Sequence, residues 1–311
     1  MNISVCNTHG ELLQKSHARE ILGNTRIFKY VIDQINVVDS RTPSENHDYI
    51  YPTLSQFCGV CPEYTKLKGT KLHDQYGEKM VIHSLEDIPT CFHDHTPSIK
   101  FLGMPMYDWN TNIESNAIMI PLLGGSRMRC RDSDHILKCR NTKRTLEYAF
   151  IGNRFKKHRR ESIFLNFEHR DDSRLINTYR KSPAIFNVRR PHIQQDMIYK
   201  FLTNIADAKF GFCPAGRGLS SYRIGECMQV GVVPIIIGHK CLPLDPYIDW
   251  KEFALIFPDQ NEVTHENIQK QLNGRDYKEM GNKCIEVWDQ YFKPKSLYTF
   301  IYNEFLGKHI G

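Results

Sequence analysis

No stretch of this sequence stays apolar for long. The longest such run, 230–237, is eight residues and is interrupted by Gly231 and Pro234, whereas a bilayer-spanning helix needs about 20. The opening residues, MNISVCNTHGELLQ, lack the basic-then-apolar pattern of a secretory leader. Neither secretion nor a membrane anchor is expected, which points to the cytoplasm and to reduced thiols. Charge of one sign is also in short supply: 41 Lys and Arg against 35 Asp and Glu leave a formal charge of +6. A nucleic-acid binder carries a denser basic stripe. The richest clusters here, RFKKHRR at 154–160 and VRRPH at 188–192, suit a smaller anion such as a nucleotide diphosphate equally well. Ten cysteines are scattered without a framework. The one close pair, Cys58 and Cys61, has no second CxxC or CxxH at ligand spacing, which argues against a zinc site. Internal repeats and low-complexity tracts are absent as well.

What is present is ordinary globular chemistry, 41% hydrophobic and 24% charged residues. At roughly 100–200 residues per domain the chain holds about two domains. In the first half, 79–83 (KMVIH), 98–102 (SIKFL) and 117–121 (AIMIP) read as short buried strands. The segment 124–144, rich in Gly, Ser, Arg and Asp, reads as a linker, and divides the chain into 1–140 and 141–311. The second half alternates more clearly. Strands are expected at 148–151, 184–188, 209–213, 232–237 and 253–257, with helices at 158–169 and 222–230. Between them Ile193, Met197, Ile198, Phe201, Leu202 and Ile205 recur on one face of a further helix. Helices over 266–272, 277–292 and 297–306 close the chain. This alternation predicts an α/β fold with a parallel sheet covered on both faces, a Rossmann-like domain.

The segment that carries chemistry is KFGFCPAGRGLSSYRIGECMQVGVVPIIIGH, 209–239. A buried strand ends at Cys213-Pro214, and a loop holding Gly216 and Gly218 runs into Ser220 and Ser221, good N-caps for a helix from Tyr222. Such a loop offers backbone N–H groups and a positive dipole end to a phosphate. On the helix Arg223 and Glu226 stand three residues apart and share a face. The arginine can pair with a diphosphate, and the glutamate can accept from the hydroxyls of a ribose. The competing reading is an ordinary surface ion pair. Gly231 is placed to end the helix as its C′ residue.

Cys213-Pro214-x-Gly216-x-Gly218-x-x-Ser221-x-Arg223-x-x-Glu226, followed by Gln229-x-Gly231-x-x-Pro234, resembles the donor-binding segment of the exostosin family of glycosyltransferases. Two flanking pieces are similar to the family too: Tyr148–Asn153 with Arg159 and Arg160 downstream, and Leu242-Pro243 with Ile248-Asp249-Trp250 and Phe253-Ala254. The resemblance covers roughly 115–260. It implies a GT-B architecture of two Rossmann-like domains facing a cleft, with a C-terminal helix crossing back to the first domain. It implies inverting, metal-independent transfer from a nucleotide sugar, most often a uridine diphosphate sugar, with no other cofactor. The acceptor would be an oligosaccharide or glycoprotein glycan, and neither nucleic acid nor a membrane is implied as a partner. Carried over by position, Glu226 would bind the ribose. Arg223, Ser220, Ser221 and the Gly216–Gly218 loop would bind the diphosphate, with Arg159 or Arg160 adding charge on its other side. Animal and plant relatives carry an anchor and a longer first domain. This sequence is more similar to short, anchorless members of microbes and large algal viruses, for which the host cytoplasm is the expected compartment.

Transfer to a hydroxyl also needs a base, expected from the first half. His47-Asp48, Glu86-Asp87, His93-Asp94-His95 and Asp108 are the candidates. Asp94, helped by His95, is preferred because the triple follows an apolar strand and turn; a solvated loop is the plainer reading of it. Asp132-Ser133-Asp134 is similar to the DxD motif of metal-dependent transferases, but sits in the linker and reads as surface, as does Asp171-Asp172. Tyr107 and Trp109 suit either stacking on an acceptor sugar or core packing. The alternative function is a non-catalytic glycan- or nucleotide-binding protein on the same fold; the presence of both Arg223 and Glu226 favours the enzyme.

Overall fold

The computed structural model describes residues 2–6, 11–24, 28–38, 48–52, 67, 70–84, 99–102, 117–121, 132–154, 160–178, 191–216, 221–239 and 242–306. Contacts divide the chain into two compact units, Met1–Ile120 with Lys293–Gly311, and Pro121–Phe292. The fold is mixed α/β, and every sheet in it is parallel.

In the first unit β1 (Asn2–Cys6) lies between β2 (Asn36–Val37) and β3 (Tyr49–Pro52). Strands β4 (Val81–Ser84), β5 (Ile99–Leu102) and β6 (Ala117–Met119) form a second sheet in that order. An isolated parallel bridge joins Ile50 to Met80, between the two. Ile3, Ser4, Val5 and Cys6 are all fully buried, the mark of a strand covered on both faces. Helix α1 (Lys15–Asn24) lays Ala18 and Leu22 on β1, and α2 (Lys71–Tyr76) precedes β4. The three strands β1 to β3 have no counterpart in the sequence expectation; β4, β5 and β6 fall where short apolar runs predicted them.

The second unit carries a five-stranded sheet. Its strands are β7 (Leu146–Gly152), β8 (Ser173–Asn177), β9 (Ala208–Pro214), β10 (Val233–Ile237) and β11 (Leu255–Phe257), in the order β11-β10-β9-β7-β8. Its helices are α3 (Ser133–Arg140), α4 (Glu161–Phe167), α5 (Pro191–Ala206), α6 (Tyr222–Met228), α7 (His265–Leu272) and α8 (Tyr277–Val287). All five residues of β10 are buried, so its near-continuous apolar run is that of a central parallel strand. Close approach of α6 to β9 requires Gly211, because a Cβ there would lie 2.4 Å from Cys227 Sγ. Gly231, at φ +72°, ends α6. The Gly231 amide donates to the Met228 carbonyl and the Val232 amide to the Cys227 carbonyl, closing a Schellman motif. The exposed edge at β11 is covered by Gln271, whose side chain both accepts from the Ile256 amide and donates to its carbonyl, at 2.8 and 2.9 Å.

Two findings depart from the sequence expectation. The segment read as a linker contains α3, and contacts divide the chain at 120 and not 140. The reason is local: Asp132 caps α3, and the His135 ring stacks on Tyr199 of α5 at 4.3 Å, tying the segment to the second unit. Strand β8 was not expected, since SRLIN is a half-exposed edge strand without an apolar pattern. The strand expected at 184–188 lies outside the described residues. Helix α9 (Pro294–Ile301) belongs to the first unit, where Tyr298 stacks on Tyr30 at 6.4 Å. No helix among the described residues is long and apolar enough to cross a membrane.

Candidate functional site

In chain order the five strands of the second unit lie 2-1-3-4-5, so the winding reverses between β7 and β9. Ligands of open parallel sheets bind at such a reversal, outside the carboxyl ends of the strands, because the two departing loops diverge and leave a crevice. The divergence is visible in the ladder: β7 pairs with β9 as far as Ala149 and Gly211, while each strand continues for three more residues.

Helix α6 starts beside this point. Ser221 caps it, its Oγ accepting from the Arg223 amide at 3.3 Å. Arg223 then reaches back to β7, where its Nε donates to the Ile151 carbonyl at 3.0 Å, beyond the last β7–β9 pair. Its guanidinium lies over the Phe201 ring of α5 at 4.2 Å, and its Nη1 makes a short ion pair with Glu226. The two side chains retain 25% and 14% of their exposure. They do pair, as the plainer reading of the spacing had it, but as a largely buried and fixed pair rather than a solvated one. Two of the five N–H donors of Arg223 are used by Ile151 and Glu226, leaving three for a ligand.

The basic run 154–160 divides its labour. Arg154 is consumed locally: it bonds Glu161 through Nε at 3.3 Å and Nη2 at 3.0 Å, and Glu168 through Nη1 at 3.0 Å. The hydrogen bond it donates to Glu161 pushes its pKa up, so it is held as a structural cation. Arg160, just before α4, donates Nη1 to the Asn153 carbonyl at 3.1 Å and so stands at the loop leaving β7. Asn153 Oδ1 and Ser162 Oγ are buried without a hydrogen-bond partner among the described residues. Buried polar atoms in that state are ordinarily satisfied by water or ligand.

Of the other expected site residues, Gly216 directly follows Ala215, whose amide donates to the Ile237 carbonyl at 2.9 Å and ties the β9 exit to β10. Gly218, Ser220, Arg159, Asp94 and His95 lie outside the described residues, as do Asp108, Tyr107 and Trp109. His239 is buried with Nε2 3.2 Å from the Cys213 carbonyl, a tether under the loop. Burial pushes the Cys213 thiol well up, so it is an inert neighbour of the site.

The acidic motifs are structural. Asp132 accepts from the amides of Asp134 and His135 and from the Tyr199 hydroxyl, at 3.0, 3.1 and 2.8 Å. Those bonds, led by that from the His135 amide, hold its carboxyl below the usual range. Asp172 is clasped by Arg170 at 2.9 and 2.7 Å. Among the described residues no three His, Cys, Asp or Glu side chains gather as a metal site would require.

Sequence reasoning missed the surroundings of Arg223. Phe201 was assigned to an apolar helix face, correctly, but nothing in that periodicity separates a packing ring from one that carries a cation. The Ile151 carbonyl has no sequence signature.

The family model for the exostosin GT47 domain matches residues 81–272, more than half of the chain. The chain is 28% identical over 90 residues to an Exostosin-1 homolog of Caenorhabditis elegans, 29% of this chain and 24% of that protein. It is 23% identical over 113 residues to Exostosin-2 of Mus musculus, 36% of this chain and 16% of that one. A probable glycosyltransferase of Arabidopsis thaliana is 27% identical over 82 residues, 26% of this chain and 16% of that protein. The matched stretch thus spans a quarter or less of these relatives' own length. With the family domain covering most of the second unit and its switch point, the chain belongs to the exostosin GT47 family.

Proposed function

We propose that the chain is a glycosyltransferase that moves a sugar from a nucleoside diphosphate sugar, a uridine diphosphate sugar in the first instance, to a hydroxyl of a glycan with inversion. The observation that carries this reading is the fixed Arg223–Glu226 pair at the switch point of a parallel sheet. A carboxylate accepts from a ribose; a guanidinium with three N–H groups to spare donates to a diphosphate. Family membership supplies the reaction class, because proteins similar to part of this chain are named as a probable glycosyltransferase or as exostosins.

In the proposed reaction the acceptor oxygen forms a bond to the anomeric carbon as the bond from that carbon to the diphosphate oxygen breaks. The electron pair leaves with the nucleoside diphosphate, and a base takes the hydroxyl proton. Charge grows on the leaving diphosphate, so the catalytic contribution of this unit is electrostatic. Arg223 and Arg160 are proposed to supply it, and Arg159, Gly216, Gly218, Ser220 and Ser221 are proposed to bind the same group. Glu226 orients the nucleotide. Asp94, with His95 beside it, is the proposed base.

The test is to incubate the protein with a panel of uridine and guanosine diphosphate sugars, with and without EDTA, and to measure nucleotide release. Release from one donor, insensitive to EDTA, supports a metal-independent transferase and names its sugar. Absence of both release and nucleotide binding overturns the reading.

A further inference from the structure

The proposed diphosphate contact depends on a side chain that could point in many directions. Arginine has a flexible stem, and a binding site gains affinity when its rotamer is set before the ligand arrives. Three contacts set Arg223: the Ile151 carbonyl at Nε, Glu226 at Nη1, and the face of Phe201 under the guanidinium plane. The first two fix the positions of two nitrogens. Only the third opposes tilting of the guanidinium plane out of line with the crevice.

Phe201 sits on α5 beside Leu202 and Ile205, which are 1% and 2% exposed and pack α5 onto the unit. Phe201 itself is only half-buried. Its ring is therefore not fully used by the core, and one face is taken by a cation.

We infer that Phe201 is a positioning residue for nucleotide binding: its ring presets the Arg223 guanidinium toward the diphosphate and acts through Arg223 alone. This rests on the proposed donor site. A cation over an aromatic face lies between the exposed and the desolvated limit here, so Phe201→Leu should weaken binding of uridine diphosphate roughly tenfold. Phe201→Tyr keeps the π face and should bind within about twofold of wild type.

Titration calorimetry with uridine diphosphate on Phe201→Leu, Phe201→Tyr, Arg223→Ala and Phe201→Leu/Arg223→Ala, alongside thermal unfolding, tests the inference. The expected result is loss in Phe201→Leu, recovery in Phe201→Tyr, and a double variant no weaker than Arg223→Ala. A structural defect would instead add to the loss of Arg223 and track the unfolding temperature. Weak binding by Arg223→Ala with wild-type binding by Phe201→Leu, or an additive double variant, overturns the positioning role while leaving the donor site standing. Wild-type binding by Arg223→Ala overturns the donor site and the positioning role with it.

Discussion

Uridine and uridine diphosphate differ only in the group that Arg223 is proposed to hold, which makes them the sharpest probes of the pair. Arg223→Ala removes charge-assisted hydrogen bonds worth about 1.5–3 kcal/mol each. Affinity for uridine diphosphate should therefore fall by at least about tenfold, toward a hundredfold, while affinity for uridine stays put. Glu226→Ala removes the ribose acceptor and should weaken both ligands by a similar factor. The folding energetics give a second readout from the same variants. Arg223→Ala strands a carboxylate that retains only 14% of its side-chain exposure, whereas Glu226→Ala leaves an arginine still held by Ile151 and Phe201. Stranding a buried polar group costs about 1–3 kcal/mol, so Arg223→Ala should be the less stable single variant. Deleting both partners should restore part of the loss, a coupling on the order of 1–2 kcal/mol in urea unfolding. Equal weakening of uridine and uridine diphosphate by Arg223→Ala, or strict additivity of the two deletions, would refute the division of roles.

Three further expectations follow from the packing. Gly211→Ala drives a Cβ to 2.4 Å from Cys227 Sγ, so it should destabilise by about 1–3 kcal/mol in urea unfolding, and Cys227→Ala in the same chain should recover most of that. Gly231→Ala meets both a left-handed φ of +72° and Ile285 Cδ1 at 2.9 Å; a midpoint loss of more than about 1 kcal/mol is expected, against wild-type stability if the turn can relax. Arg170 holds the Asp172 carboxyl below its usual range. The stability this contributes is present above the unfolded carboxylate pKa and is lost as pH falls through the lower folded value. Asp172→Asn should therefore narrow the gap between thermal stability at neutral and at acid pH, and an unchanged gap would count against the pair.

The second unit was far more legible than the first, for a physical reason. A strand such as VPIII, buried on both faces, can only be apolar throughout, and Gly231 with the Ser221 cap punctuates the helix between β9 and β10. Strand β1 obeys the same rule, with Ile3 to Cys6 fully buried, but Ser4 interrupts its apolar pattern. Strand β8 fails in the opposite way, an edge strand whose residues stay half-exposed and so owe nothing to hydrophobic pattern. Helix α3 was hidden because its sequence, SDHILKCR, buries only Cys139. Its cap at Asp132 was read for its acidity rather than for its place before a helix.

The site shows the same division between what spacing carries and what only tertiary contact decides. Arg223 and Glu226 were visible because three residues on a helix is a fixed geometry. The neighbouring basic run was not, since RFKKHRR is nearly uniform in charge while its members meet different fates. Arg154 finds two glutamates, Glu161 at the start of α4 and Glu168 just past its end, and is neutralised before any ligand arrives. Arg160 instead donates Nη1 to the Asn153 carbonyl at the exit of β7. On the proposed donor site Arg160→Ala should weaken uridine diphosphate without touching uridine, whereas Arg154→Ala should lower the unfolding midpoint through the lost Glu161 and Glu168 bonds. If Arg154→Ala instead selectively weakened the diphosphate at unchanged stability, the assignment of charge within this loop would have to be reversed.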